Sequence, residues 1–347
     1  SGPSRKGRGR DRRTFGSFKI AVSADDRRWL AAAIALAERG KGLTGNNPSV
    51  GCIIVKDGIV IGRGWTQPGG RPHAEAMALE QAGPAVKGST IYVSLEPCAH
   101  ESVRGPSCAD GLVAAKPARI VAALTDPDPR TAGRGFDRLV AAGISVEHDA
   151  MAVEAHASLA GFISRITKGR PHVTLKLATS LDGCIAMADG RSRWITNDAA
   201  RAHAHVERAR CDAILIGAGT VRADTPKLDV RLPGLEGRSP RRIMLGSGDA
   251  PEGWEAIRTP EAISALDCNS LIVEGGAQTA NAFLRAGLVD RLMLYRAPII
   301  IGGGKPCLGD IGLADLSEAH GRWQLSDTRM LGNNRFEVYE AIQCSQA

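Results

Sequence analysis

The chain reads Pro72-His73-Ala74-Glu75, then Leu95-Glu96-Pro97-Cys98-Ala99-His100, then Cys108. His73 to Ala82 has the pattern of a short helix stopped by Gly83-Pro84, and Ser89 to Leu95 is an apolar, strand-like run. A second helix over Cys108 to Ala115 would place a thiolate in its first turn, where the helix dipole favours an anion. Positions two apart do not share a helical face. His73 and Glu75 therefore predict a metal and a substrate that both sit at the helix N-terminus.

One histidine and two cysteines are three ligands of the kinds zinc accepts, with a fourth position left for water. Glu75 is close enough in sequence to exchange a proton with that water. H-x-E followed by P-C-x-x-C is the signature of zinc deaminases of bases and nucleosides. Here nine residues, not two, separate Cys98 from Cys108, while Glu-Pro still precedes the first cysteine. The competing reading is a closed structural zinc site, for which His100 is the nearby fourth ligand. A closed site has no use for Glu75.

The 347 residues suggest two domains at ~150 residues each. No apolar run approaches the ~20 residues of a membrane span, and no signal-peptide pattern is present, so the expected compartment is the cytoplasm. Eight scattered cysteines do not form a disulfide framework in a chain this long. The net charge is +7, but residues 1 to 19 hold seven Lys or Arg and one acid. A basic arm can grip nucleic acid, yet residues 1–22 read more simply as a disordered tail. No nucleic-acid or membrane partner is expected; homo-oligomerisation is left open.

Along the chain, Ser23-Ala24-Asp25-Asp26 is a helix start and Gly40 a stop. Val50–Val55 and Ile59–Gly64 are strands joined by the hairpin signal Lys56-Asp57-Gly58. Asn47, before Pro48, stands at the mouth of the first strand, where its amide is placed to read a pyrimidine edge. Strand, helix and strand follow at Arg119–Leu124, Phe136–Ala142 and Ile144–Glu147. The alternation predicts a three-layer α/β/α domain over 23–150, then a single connecting helix and linker over 151–170.

A second alternating unit is expected over 171–343, with strands at 172–178, 213–216, 242–245, 270–274 and 291–295 and a closing hairpin at 324–330 and 335–341. Glu274-Gly275-Gly276-Ala277 follows a strand and opens a helix, the setting in which backbone amides approach a phosphate. It is not the G-x-G-x-x-G fingerprint. Arg208 and Arg231 are candidates for a bidentate grip on a phosphomonoester.

The chain resembles the bifunctional deaminase/reductase family of riboflavin biosynthesis over roughly residues 24 to 343. The likeness is carried by Asn47-Pro48-Ser49-Val50-Gly51-Cys52, Pro72-His73-Ala74-Glu75 and Leu95-Glu96-Pro97-Cys98-Ala99-His100. In the second half it is carried by Leu175 to Gly183, Ser192-Arg193-Trp194-Ile195-Thr196, Gly219 to Pro226 and Val273-Glu274-Gly275-Gly276. The resemblance implies a cytidine-deaminase-like domain followed by a dihydrofolate-reductase-like domain. The first would use zinc to hydrolyse the 2-amino group of 2,5-diamino-6-ribosylamino-4(3H)-pyrimidinone 5′-phosphate; the second would use NADPH to reduce the ribosyl group to ribityl.

Residue by residue, the resemblance implies His73, Cys98 and Cys108 as zinc ligands and Glu75 as the proton shuttle. It places Ala178, Trp194, Thr220, Asp224, Ser247 and the run Gly276, Ala277, Gln278, Thr279, Ala280, Asn281, Ala282 at NADPH. It places Ser192, Arg208, Leu228, Arg231 and Glu274 at the sugar phosphate; Asn47, from its place at the strand mouth, and Lys176, as a candidate for proton transfer or charge stabilisation, are read as further substrate contacts. One departure concerns the cofactor: only 24 residues separate Leu245 from Ser270, where the family has a longer crossover. The expected consequence is a thinner wall around NADPH. A base or tRNA deaminase is the alternative reading, and it leaves the second half unexplained.

Overall fold

The computed structural model describes residues 22–100 and 105–342. Apart from Val22, the basic tail lies outside the described residues. Helix α1 (Ala24–Ala37) starts with a capping box in which Ser23 and Asp26 satisfy each other's backbone amides. Strands β1 (Gly51–Lys56) and β2 (Ile59–Trp65) form the expected hairpin. Asp57 and Gly58 both have positive φ, as a two-residue turn matched to strand twist requires. Helix α2 (Ala74–Ala82), β3 (Thr90–Val93), α3 (Cys108–Ala115), β4 (Arg119–Ala122), α4 (Arg134–Ala141) and β5 (Ser145–Glu147) follow.

The first sheet runs β2-β1-β3-β4-β5, with β3, β4 and β5 parallel. Its strands alternate: Cys52 and Ile54 face one core with Leu112 and Phe136, whereas Ile53 and Val55 face the other with Leu30 and Tyr92. Both faces are therefore covered, and the unit has three layers. Gly62 and Gly64 let α2 lie directly on β2; a Cβ at either would stand 2.3 Å from a carbonyl oxygen, Ala78 or Ala74. This close approach sets the height of the α2 N-terminus, where His73 and Glu75 stand.

The single connecting helix expected over 151–167 is two helices, α5 (Ala152–Ser158) and α6 (Ala160–Lys168). Leu159, with φ −97° and ψ 11°, breaks them. Beyond lie β6 (His172–Thr179), β7 (Cys184–Ala186), α7 (Asp198–Ala209), β8 (Ala213–Gly217), α8 (Ala218–Asp224), β9 (Arg241–Leu245) and β10 (Glu255–Ile257). The remaining elements are β11 (Ser270–Glu274), α9 (Ala277–Arg285), β12 (Arg291–Arg296), β13 (Lys305–Pro306), β14 (Trp323–Leu331) and β15 (Asn334–Ala341).

The second sheet runs β10-β9-β8-β11-β6-β12-β15-β14, parallel from β10 to β12 and closed by the predicted antiparallel hairpin. The short crossover forms no α-helix. It adds β10 as a parallel edge strand, followed by a 3-10 turn over Pro260–Ala265. Among the described residues no helix is long and apolar enough to cross a membrane.

Candidate active sites

The first site is assembled where α2, α3 and the segment after β3 converge. His73 is the N-cap of α2 and Cys108 opens α3. His73 Nδ1 lies 3.1 Å from Cys108 Sγ and 3.7 Å from Cys98 Sγ, and the three ligand atoms all fall within 4.8 Å of one another. A tetrahedral zinc with ordinary bond lengths needs N···S edges of about 3.5 Å and an S···S edge of about 3.8 Å. The donor set fits zinc both in chemistry and in spacing. His100 does not join it; its Nδ1 lies 3.3 Å from Thr131 Oγ1. Among the described residues the cluster has three protein ligands, the open form that a hydrolytic centre requires.

The backbone amide of Cys108 donates to Cys98 Sγ at 3.3 Å. Hydrogen bonding from Cys108 and from His73 outweighs burial and lowers the Cys98 thiol to about 4. Glu75 is 3 % exposed, and this burial raises its carboxyl above the usual range. A buried carboxylate beside a metal position, with its proton affinity raised by burial, is suited to carry a proton in both directions.

These residues open on a cavity of about 180 Å³ that Asn47, Arg71, His100 and Asp126 also line. Asp126 is a residue that sequence reasoning missed. Its segment, Asp126-Pro127-Asp128-Pro129, has the composition of an ordinary turn. Glu96 anchors that turn, its carboxylate accepting from the amides of Asp126, Gly133 and Gly135 at 3.2, 2.9 and 2.9 Å. Asp126 Oδ1 accepts from the Asp128 amide at 2.8 Å. Burial, then the neighbouring acids Asp128 and Glu96, pushes the Asp126 carboxyl up to about 7.

The second site lies at the carboxyl ends of β6, β8 and β11, where ligands of open α/β sheets bind. It is a cavity of about 360 Å³. The expected residues Lys176, Ala178, Ser192, Trp194, Arg208, Thr220, Asp224, Arg231 and Gly276 all line it. At its floor Arg208 forks onto Glu274, Nε to Oε1 at 2.7 Å and Nη2 to Oε2 at 2.9 Å. Lys176 Nζ lies 3.5 Å from Glu274 Oε2 and 5.7 Å from the ring centre of Tyr295.

Several expectations are revised here. The Arg208 fork holds a buried carboxylate of its own chain, so it is not open for a bidentate grip on phosphate. Leu228 is buried in the core beside Val221 and Met244, with φ 53°, and does not line this cavity. Ala280 packs into the core behind α9, and the Asn281 side chain accepts from the Gly309 amide at 3.0 Å. Ser247 is exposed on the loop after β9 and is not among the lining residues. Arg258 Nη1 donates to the carbonyls of Gly246 and Gly248 at 2.8 and 3.1 Å, and Arg241 pairs with Glu255 at 2.8 Å.

Comparison with known proteins follows the same division. Residues 23–124 match the zinc-binding region of cytidine and deoxycytidylate deaminases, and residues 171–253 and 259–334 match the RibD C-terminal domain. The riboflavin biosynthesis protein RibD of Escherichia coli K12 is 41% identical over 344 residues, covering 85% of this chain and 94% of that protein. RibD of Mycobacterium tuberculosis H37Rv is 38% identical, covering 87% of this chain and 94% of its own. Among solved structures, Acinetobacter baumannii RibD superposes with a TM-score of 0.83 at 34% identity, covering 92% of this chain and 99% of its own. A Thermotoga maritima diaminohydroxyphosphoribosylaminopyrimidine deaminase/5-amino-6-(5-phosphoribosylamino)uracil reductase gives 0.82 at 30%, covering 91% and 99%. The tRNA- or base-deaminase alternative has no place for the second match. Two family matches that divide the chain as the two sheets do, and relatives similar along most of its length, put the chain in the RibD family of bifunctional deaminase–reductases of riboflavin biosynthesis.

Proposed function

We propose that the chain deaminates the pyrimidine 2-amino group of 2,5-diamino-6-ribosylamino-4(3H)-pyrimidinone 5′-phosphate at the first site. At the second it reduces the ribosyl group of the deaminated product to ribityl. The observation that carries the reading is the three-ligand cluster His73, Cys98 and Cys108 beside buried Glu75. The two catalytic units are assigned to residues 23–150 and 171–343, and the setting to the cytoplasm. The test is to incubate zinc-loaded protein with the diaminopyrimidine phosphate, with and without NADPH, and identify products by mass. A mass gain of one unit without NADPH, and two further hydrogens with it, is expected; an unchanged substrate would sink the reading.

His73, Cys98 and Cys108 hold zinc in this reading. Bound there, zinc supplies Lewis acidity that makes hydroxide available near neutral pH. Glu75 accepts the first proton of water and delivers it to the ring nitrogen, then takes the second from the newly added hydroxyl and passes it to the amino group, which leaves as ammonia while the carbonyl forms. Asn47 and Asp126 address the polar edges of the pyrimidine. In the second cavity the cofactor supplies a hydride. Trp194, Thr220 and Gly276 orient its nicotinamide end, Lys176 holds a proton near the opening sugar, and Arg231 at the rim receives the phosphate.

Asp126 gives this site a pH dependence. The neutral acid can donate to a ring acceptor, and the anion cannot. Burial and the neighbouring acids push its carboxyl up to about 7. The KM for deamination should therefore rise as pH increases through about 7, and Asp126→Asn should abolish that rise while keeping a donor. For stability the sign is the same: a raised carboxyl favours folding at low pH, and this is lost between the ordinary Asp value of about 4 and the folded value. An identical pH–KM profile in the parent and in Asp126→Asn would remove Asp126 from substrate contact.

The second cavity predicts a loose cofactor. The crossover after β9 supplies an edge strand instead of a helix; of the three arginines that could grip a 2′-phosphate there, Arg241 and Arg258 are engaged with their own chain and Arg242 lies 5.5 Å from the centre of the Trp254 ring. Isothermal titration is expected to give weak binding of both NADPH and NADH, with less than about ten-fold preference, under 1.4 kcal/mol. Tight binding with strong preference for NADPH would contradict it.

A further inference from the structure

We infer that Asn269, a residue of the reductase half, positions the pyrimidine-reading loop of the deaminase half. The inference rests on the proposed reading of Asn47 as a substrate contact. Asn269 stands at the foot of β11, just before Ser270, and is 7 % exposed. Its Nδ2 donates to the carbonyls of Gly45 and Asn47, at 3.1 and 3.4 Å, more than 220 residues away in sequence. Neighbouring Asp267 reinforces the contact by accepting from Asn46 Nδ2 at 2.5 Å. The loop over 42–47 is thus held from the second half at three successive residues, Gly45, Asn46 and Asn47.

Inside the loop the same residues have few other anchors. Thr44 Oγ1 donates to the Asn47 carbonyl at 2.8 Å, and Asn47 Nδ2 donates back to the Thr44 carbonyl at 3.2 Å. These bonds shape the turn; the Gly69 amide, donating to the Leu43 carbonyl at 2.8 Å, ties its start to the deaminase half, and the contacts from Asn269 and Asp267 tie its end. Gly70 closes one side: with φ +84°, it leaves room for the Asn47 amide at a place where a Cβ would stand 1.9 Å from Nδ2. Asn269 closes the other. Asn269 is itself fixed, since its amide donates to Asp212 Oδ2 at 3.0 Å and its carbonyl accepts from the His172 amide at 2.8 Å. Strand β11 therefore touches the deaminase loop at one end and, through Glu274, the floor of the reductase cavity at the other.

A positioning role separates KM from kcat. The zinc ligands and Glu75 lie on α2, α3 and the segment after β3, whereas the hydrogen bonds of Asn269 go to Gly45, Asn47, His172 and Asp212. Asn269→Ala should raise the deaminase KM about ten-fold, the equivalent of 1.4 kcal/mol, with kcat, zinc content and the reductase constants unchanged. Asp267→Ala, at an exposed position that leaves the core intact, should raise the same KM by a smaller factor. In an Asn47→Ala background, Asn269→Ala should add nothing further, because both act through one contact.

The two levels fail separately. An unchanged KM in Asn47→Ala removes the reading of Asn47 and this inference with it. A raised KM in Asn47→Ala together with unchanged values in Asn269→Ala and Asp267→Ala overturns the inference alone. Equal losses in both activities, with a lowered Tm, would make Asn269 a structural residue and overturn it as well.

Discussion

Glu75→Gln is expected to keep its zinc and lose deamination by ~100-fold or more, the scale of general acid–base catalysis. The substitution is nearly isosteric, so His73, Cys98 and Cys108 keep their spacing. What disappears is the group that carries the two protons of water in turn, the first to the ring nitrogen and the second to the departing amine. Burial already raises the carboxyl of Glu75, and an amide in its place is less costly to bury than a carboxylate. The fold should therefore be at least as stable as the parent, and loss of activity cannot be read as unfolding. Reduction of separately supplied deaminated substrate should be unchanged, because Glu75 belongs to the first sheet's cavity and to no residue of the second. The checks are zinc by atomic absorption, ammonia release, and NADPH oxidation. Deamination retained within a few-fold of the parent would take Glu75 out of the mechanism.

How much of this was legible in the sequence depended on how local the signal was. The turn Asp57-Gly58, the cap at Ser23 and the helix Cys108–Ala115 were readable because their determinants lie within a few residues. The zinc cluster was readable for a different reason: His73, Cys98 and Cys108 are chemically distinctive, even 35 residues apart. Helix α7 was missed. Its sequence, Asp198 to Ala209, is rich in Ala, His and Arg and carries no apolar stripe, and the signal that remained was Asn197, whose side chain accepts from the Ala200 amide as an N-cap. Strand β10 was missed because only Ile257 of its three residues is buried. Asp126 was hidden by its resemblance to a turn, since what makes it unusual is burial supplied by distant residues. The pairing of Arg208 with Glu274 spans 66 positions and joins a helix to a strand. Nothing in either neighbourhood announces it.

That pairing makes the reductase half most vulnerable at Arg208. Glu274 is almost wholly buried; burial alone would raise its carboxyl, but Lys176 and Arg208 outweigh it and hold the group at about 2. Arg208→Ala removes both bonds of the fork and the Arg208 bond to the Asp229 carbonyl. Lys176, at 3.5 Å, is then left to face a buried anion. Breaking one side of a buried pair costs roughly 3–5 kcal/mol, mostly for the charge left behind. The expected results are a clearly lowered Tm and loss of NADPH-dependent reduction by ~100-fold or more, with deamination near normal. The pH sign follows from the depressed carboxyl. In the parent its stabilisation is complete above the ordinary Glu value and fades as pH falls toward about 2. In Arg208→Ala the carboxyl should rise, so that stability falls less steeply on acidification from neutral pH. Arg208→Ala combined with Glu274→Gln separates pairing from packing. If the fork matters as a pair, the double variant should recover part of the lost Tm while staying inactive in reduction, because the buried charge is gone but the cavity floor is not restored. Strictly additive losses in Tm would show that Arg208 and Glu274 act independently, and the floor of the cavity would then have to be explained by Lys176 and Tyr295 alone.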